Sequence, residues 1–339
     1  MQYRTLGATG VRVSPLVLGA MNFGAIGNTD HDESIAIIQE ALDAGINLID
    51  TADSYSLGES ETIVGEALAG RRDDVVVATK ATNPMGDGPN QRGSSRRWLT
   101  TSVDNSLRRL GTDRIDLFQV HRPDWDTSDE ETLSALTDLQ RTGKILAFGS
   151  STFPAHRIVE AQWAARTHAL SRYVTEQPAY SILMRGIERD VLPVTERFGM
   201  GVLTWSPLAS GWLTGAVTGD GATSARAKSL PMLFDQSIPE NQQKLHIVQQ
   251  LAGVAEQAGL TMVQLALAFA TTHPAVTAAI IGPRTLGQLR SQVAALDVVL
   301  TPDVLDAIDR ISPPGVDVAP NDRFEIPEPA FAQARRRRR

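Results

Sequence analysis

The chain has 339 residues, 42% of them hydrophobic and 21% charged, a globular composition that excludes both a mini-protein and a disordered chain. Its 39 acidic residues outnumber 32 basic ones, and five of the positives form the terminal run Arg335 to Arg339, so residues 1–334 carry a formal charge of −12. An acidic body argues against general binding to nucleic acid or to an anionic membrane.

There is no cysteine, so disulfides, thiolate nucleophiles, Cys-ligated zinc and iron–sulfur clusters are excluded and catalysis falls to oxygen and nitrogen groups. The first residues contain no apolar targeting stretch, and no run of about 20 apolar residues exists to span a bilayer. A soluble, cytoplasmic protein is expected. Only four lysines occur, Lys80, Lys144, Lys228 and Lys244, against 28 arginines. A lysine within an apolar strand therefore stands out.

In chain order, Tyr3 to Val13, around Gly7 and Gly10, predicts a hairpin closing the bottom of a barrel. Buried strands are expected at 15–19, 46–49, 75–79, 115–120, 145–148, 173–176, 201–204 and 277–281. Amphipathic helices lie between them. Ile35, Ile38 and Leu42 line one helix that stops at Gly45, and Leu99, Val103, Leu107 and Leu110 line another that stops at Gly111. Strand ends recur about every 30 residues, near Gly19, Asp50, Lys80, His121, Ser150, Gln177, Trp205 and Gly282. Eight such units predict an α/β fold of the (β/α)8 TIM-barrel type.

Two longer gaps, 81–95 and 206–240, are expected as loop insertions at the barrel mouth. Residues 1–312 are read as a single barrel domain and 313–339 as an irregular tail, with the arginine run a frayed end. The alternative doubly wound sheet would carry GxGxxG after its first strand. Neither that motif nor a Walker-type loop is present.

Asp50, Lys80 and His121 end apolar strands two, three and four, and Tyr55 follows five residues after Asp50. Neighbouring strand ends bring these four side chains to one mouth, where Asp50 and Lys80 pair as opposite charges beside Tyr55. A nearby ammonium favours a phenolate, which makes Tyr55 a usable proton donor, and His121 supplies a second hydrogen bond to a substrate oxygen.

These residues resemble the aldo-keto reductase superfamily over about residues 1–300. LGATGVRVSPLVLGAMNFG at Leu6 to Gly24 is similar to the family's opening hairpin and first strand, and LIDTADSY, VVVATK and LFQVHRPD are similar to the three motifs that carry its four catalytic residues. The resemblance implies Tyr55 as general acid, Lys80 tuning it, Asp50 paired to Lys80, and His121 orienting a carbonyl. It also implies NADPH. Ser151 and Thr152 in AFGSSTF and Gln177 in EQPAYSIL match carboxamide positions, although the family usually has Asn where Thr152 stands. Trp205 holds the position of the aromatic that stacks on nicotinamide, and Ser206, Leu208 and Ser210 that of the pyrophosphate wrap. IIGPRTLGQL resembles the adenosine segment, with Gly282, Arg284 at the 2′-phosphate, Gln288, and Gln292 where a Glu-Asn pair usually ends.

The function implied is NADPH-dependent reduction of a ketone or aldehyde, with a small-molecule carbonyl as partner and no metal, since no HxH follows the first strand. Met21, Asn22 and Trp125 are candidate substrate-wall residues, with Trp98 and Trp212 near the same rim. Two alternatives stand beside this reading. One is a cofactor-sensing regulatory subunit, since potassium-channel β subunits resemble the family too; the other is a Schiff-base aldolase using Lys80.

Overall fold

The computed structural model describes residues 1–218, 221–222 and 231–324. Lys228 and the Arg335–Arg339 run lie outside the described residues. A two-stranded antiparallel hairpin, β1 (Arg4–Thr5) and β2 (Arg12–Val13), precedes eight parallel strands. These are β3 (Leu16–Gly19), β4 (Leu48–Asp50), β5 (Val76–Ala81), β6 (Ile115–Val120), β7 (Ile145–Ser151), β8 (Thr175–Gln177), β9 (Gly201–Thr204) and β12 (Ala278–Ile281). They close into a barrel in that order, with β12 beside β3. A second small hairpin joins β10 (Val217–Thr218) to β11 (Gly221–Ala222).

The helices are α1 (His31–Asp43), α2 (Glu59–Ala67), α3 (Arg96–Leu110), α4 (Asp129–Arg141), α5 (Ala155–Thr167) and α6 (Val191–Arg197). After β11 come α7 (Pro239–Gln257), α8 (Met262–Thr272), α9 (Leu286–Val293) and α10 (Pro302–Ile311). Among the described residues no single helix is long and apolar enough to cross a membrane.

Strand positions agree with the sequence pattern to within a few residues, β4 and β8 starting two residues later than expected and two other strands running on past their apolar stretch. β5 and β7 run on through Lys80 and Ser150–Ser151, polar residues that an apolar-run criterion cuts off but whose backbones remain in register with neighbouring strands. In α1 the buried face is Ser34, Ile37, Ile38, Ala41 and Leu42, so Ile35 is only half-buried. In α3 Leu107 is half-buried while Ser102 and Ser106 go inside. The Ser95 hydroxyl caps the start of α3, and Gly111, left-handed at φ 61°, ends it.

The described residues gather into two compact units, one of Met1–Leu18, Glu40–Ile46 and residues from Pro178 to Arg323, the other of Gly19–Gln39, Asn47–Gln177 and Phe324. In the first, the hairpin turn packs against the start of β9. A Cβ on Gly7 would stand 2.4 Å from the Gly201 nitrogen, and Ala8 N–H donates to Gly199 O. Buried Arg185 ties α10 to the region after β8 through Glu188 (2.8 Å), Asp309 (2.6 Å) and the Ser312 carbonyl (2.6 Å). Lys244 of α7, nearly fully buried, pairs with Asp322 at 2.7 Å and lies over Trp212, which itself stacks on Phe234. Trp212 is therefore core, and Trp98 is buried in α3; neither is a rim aromatic.

The second unit holds β4 to β8. Behind β5, fully buried Glu61 of α2 accepts hydrogen bonds from Thr79 (2.5 Å) and from Arg109 of α3 (2.6 Å). Asp53 is buried nearby without a well-formed hydrogen bond to either carboxylate oxygen among the described residues. Desolvation, reinforced by the Glu61 carboxylate, pushes Asp53 up to about 8, against the pull of Arg109, the Ser54 backbone and Lys80.

A carboxyl whose pKa is raised on folding holds a proton in the native state that the unfolded chain has already released. Stability therefore falls as pH rises from the ordinary carboxylate range toward about 8. Asp53→Asn should remove this contribution, flattening the wild-type slope by roughly 1 kcal/mol per pH unit across that window. Urea unfolding at several pH values reads it, and identical slopes in the two proteins would refute the assignment.

Candidate active site

The second unit assembles a polar cluster on the C-terminal ends of its strands. Parallel pairing sets Asp50 of β4 opposite Ala78, and Lys80 of β5 opposite Gln119 of β6. Side chains two apart on a strand share a face, so Gln119 and His121 project together. The turn Tyr55–Gly58 follows β4 with Ser56, Leu57 and Gly58 all left-handed, at φ 48°, 54° and 98°. Glycine is required at 58 on two counts, since a Cβ there would also meet the Arg109 side chain at 2.6 Å.

Lys80 is fully buried, and its Nζ donates to Asp50 Oδ2 at 2.5 Å, to the Thr51 carbonyl at 2.8 Å and to the Tyr55 hydroxyl oxygen at 3.3 Å. Those three bonds use all three ammonium hydrogens. Because an ammonium is only a donor, Tyr55 is the acceptor in the third bond and its own hydroxyl proton points elsewhere. Burial alone would depress Lys80, but the Asp50 carboxylate and Tyr55 outweigh it and hold the ammonium above its ordinary value.

His121 stands edge-on to Tyr55, with ring centroids 5.7 Å apart. Its Nδ1 lies 3.2 Å from Asn83 Nδ2, an amide nitrogen that can only donate. With the Asn83 amide in this orientation, Nδ1 accepts and Nε2 carries the proton of the neutral ring. Burial, with Lys80 and Arg122 as cationic neighbours, pushes the imidazole well below its ordinary value, so His121 is neutral. Arg122 itself donates to the His121 carbonyl and to Thr152 Oγ1.

Behind the pair, Asp50 Oδ1 accepts from Gln177 Nε2 at 2.8 Å and from Gln119 Nε2 at 3.2 Å, while Gln177 Nε2 also donates to Gln119 Oε1 at 3.2 Å. Ser151 Oγ donates to the Gln177 backbone carbonyl at 2.9 Å. The structure thus brings Asp50, Tyr55, Lys80, Ser151 and Gln177 into one hydrogen-bonded network, with His121 edge-on to Tyr55 and Thr152 joined to the His121 carbonyl through Arg122. Of the substrate-wall candidates, Asn22 is mostly buried, Met21 is half-buried, and Trp125 is stacked on His156 with Arg157 over its ring.

In the first unit, Trp205 bridges to Ala179, and Ser206 Oγ accepts from the Ser210 N–H at 3.0 Å in a loop where Ser206, Ala209 and Ser210 are left-handed. Leu208 opens the turn that follows, and Gly282 follows β12. Arg284 stands two residues before α9, its N–H donating to Gln288 Oε1 at 2.8 Å. Gln292 Oε1 is buried with no hydrogen-bond partner among the described residues.

Three participants escaped the sequence reading. Gln119 had a signal, a polar residue inside an apolar strand two places before His121. Asn83 sits in a Gly- and Pro-rich loop where one more Asn is unremarkable, and the Thr51 contribution is a backbone carbonyl that any residue provides.

A model of the aldo/keto reductase family matches residues 15–313. Among curated relatives, the uncharacterized oxidoreductase YrpG of Bacillus subtilis is 38% identical over 92% of this chain and 96% of its own length. A probable voltage-gated potassium channel subunit beta of Oryza sativa subsp. japonica is 37% identical over 92% and 96%, and norsolorinic acid reductase of Aspergillus flavus is 32% identical over 96% and 84%. A match running from the first barrel strand past the last helix places the chain in the aldo/keto reductase family, a family of oxidoreductase character.

Proposed function

We propose that residues 1–312 form one catalytic domain that reduces a ketone or aldehyde with NADPH, Tyr55 being the general acid. The observation that carries this reading is the Lys80 ammonium held between Asp50, the Thr51 carbonyl and the Tyr55 oxygen. It leaves one phenolic proton free to be given away and keeps a cation against the phenolate that remains.

The residues present fit a nicotinamide dinucleotide. Ser151 Oγ and Gln177 Oε1 are both left as acceptors, suited to a carboxamide NH2, and the orphaned Gln292 Oε1 suits an amino group such as that of adenine. Trp205 offers a ring to stack on nicotinamide, Ser206, Leu208 and Ser210 line the pyrophosphate, and Gly282, Arg284 and Gln288 take the 2′-phosphate end at the start of α9. When bound, the reduced nicotinamide supplies the hydride to the carbonyl carbon. Neutral His121 donates an Nε2–H hydrogen bond to the carbonyl oxygen, and Tyr55 delivers its proton to that oxygen as the C–O bond becomes an alcohol.

A Schiff-base role for Lys80 fits poorly. Its nitrogen is held protonated and fully hydrogen-bonded, whereas an imine-forming amine must lose a proton and present a lone pair. The regulatory-subunit reading draws support from the rice relative at 37% identity. A panel of simple aldehydes, aryl aldehydes and norsolorinic acid, followed by NADPH absorbance, separates the two: steady oxidation supports the reductase, and binding without turnover supports the subunit.

Tyr55→Phe should lower turnover by roughly 10²- to 10⁴-fold while leaving NADPH affinity within about twofold; near-normal turnover would overturn the assignment of the acid. Arg284→Ala should weaken NADPH binding by roughly tenfold or more and leave NADH nearly unchanged, as measured by fluorescence titration. Equal effects on both cofactors would remove the 2′-phosphate role.

A further inference from the structure

Gln119 is fully buried and takes no part in the chemistry above, yet it joins both halves of the polar layer behind Lys80. An Asp50 carboxylate is acceptor-only, so the two amides at its Oδ1 must both turn their nitrogens to it. With its nitrogen committed, Gln119 presents Oε1 to the other hydrogen of Gln177 Nε2. Both hydrogens of Gln177 are then used, and its Oε1 is the one polar atom left on that side chain. Turning the Gln177 amide over would set its oxygen against Asp50 Oδ1 and Gln119 Oε1, exchanging two buried hydrogen bonds for two acceptor–acceptor contacts. Ser151, whose single hydroxyl proton goes to the Gln177 carbonyl, is likewise left as an acceptor.

We propose that Gln119 is a positioning residue that fixes the Gln177 amide with its oxygen presented to the cofactor, so that the site selects a pyridine ring whose 3-substituent donates a hydrogen bond. This rests on the dinucleotide reading above. The carboxamide NH2 of nicotinamide meets the requirement. An acetyl group, with a methyl where the NH2 stands, leaves the Gln177 and Ser151 acceptors unpaired.

Isothermal titration calorimetry with NADP+ and with its 3-acetylpyridine analogue tests this without turnover. Wild-type protein should bind NADP+ tighter than the analogue by roughly tenfold or more. Gln119→Met, similar in size but with only a weakly accepting thioether and no donor, should shrink that ratio at least about threefold. Gln119→Glu, titrated at a pH where the new carboxyl is protonated and so both donates and accepts, should restore it. A residue that only fills space would change the melting temperature, or both affinities equally, and leave the ratio alone. An unchanged ratio in Gln119→Met, or a wild-type protein that binds both ligands equally, overturns the proposal; the wild-type comparison holds even where a variant fails to fold. Failure of wild-type protein to bind either ligand would instead remove the dinucleotide reading on which it rests.

Discussion

The second unit is organised around one buried cation. Taking the Lys80 ammonium out of water costs several kcal/mol, and removing the partner of such a buried ion is far more damaging than losing an exposed pair. The compensation is complete, with one carboxylate, one backbone carbonyl and one phenol for three N–H bonds. Each partner comes from the β4 strand or the turn just after it, so the register between β4 and β5 is a condition of the site and not a background to it. Slipping β5 by one residue would turn Lys80 to the other face of the sheet and leave Asp50 uncompensated.

Once Lys80 is charged, its neighbours follow. A second cation beside it is disfavoured, which is one reason His121 stays neutral, and the Asn83 amide, with its nitrogen turned to Nδ1, favours the tautomer that is protonated at Nε2. Asp50 needs donors on its second oxygen, and the amides of Gln119 and Gln177 provide them without adding charge. A neutral amide layer behind an ion pair keeps the pair's charges directed at each other and at Tyr55. One nearby carboxyl that lacks such donors behaves differently: Asp53, without well-formed hydrogen bonds, is driven toward its neutral form.

Much of this was legible in the amino-acid order. Eight apolar runs at near-regular spacing specify a barrel, because strand and helix lengths fix how often the chain can return to the sheet. Asp50, Lys80 and His121 were visible because each is polar where an apolar strand ends. Legibility failed where polarity is ordinary for the setting. Lys80 and Ser150 continue their strands although the apolar pattern stops short of them, since register is set by backbone pairing and not by side-chain hydropathy. Leu107 and Ile35 showed that helical spacing gives a face only to within a residue or so, because serine and alanine pack inside as readily as leucine where helices approach closely.

Backbone strain was the least legible feature, and it is not spread evenly. Of the nine non-glycine residues with positive φ among those described, seven follow the C-terminal ends of strands: Ser56 and Leu57 after β4, Thr82 after β5, Thr152 after β7, and Ser206, Ala209 and Ser210 after β9. Leucine and threonine are poor choices for left-handed backbone, each costing of order 1–3 kcal/mol that surrounding structure must offset. At Ser56 the offset is visible, since its hydroxyl donates to the Phe23 carbonyl and accepts from the Ile26 N–H. At Thr152 it is the Arg122 guanidinium that holds the side chain. Because both devices bind loops that flank the polar cluster of the second unit, the strain and the hydrogen bonds that hold it belong to the same arrangement as the ion pair, each loop around Tyr55 and His121 being tied down by a side chain of its own.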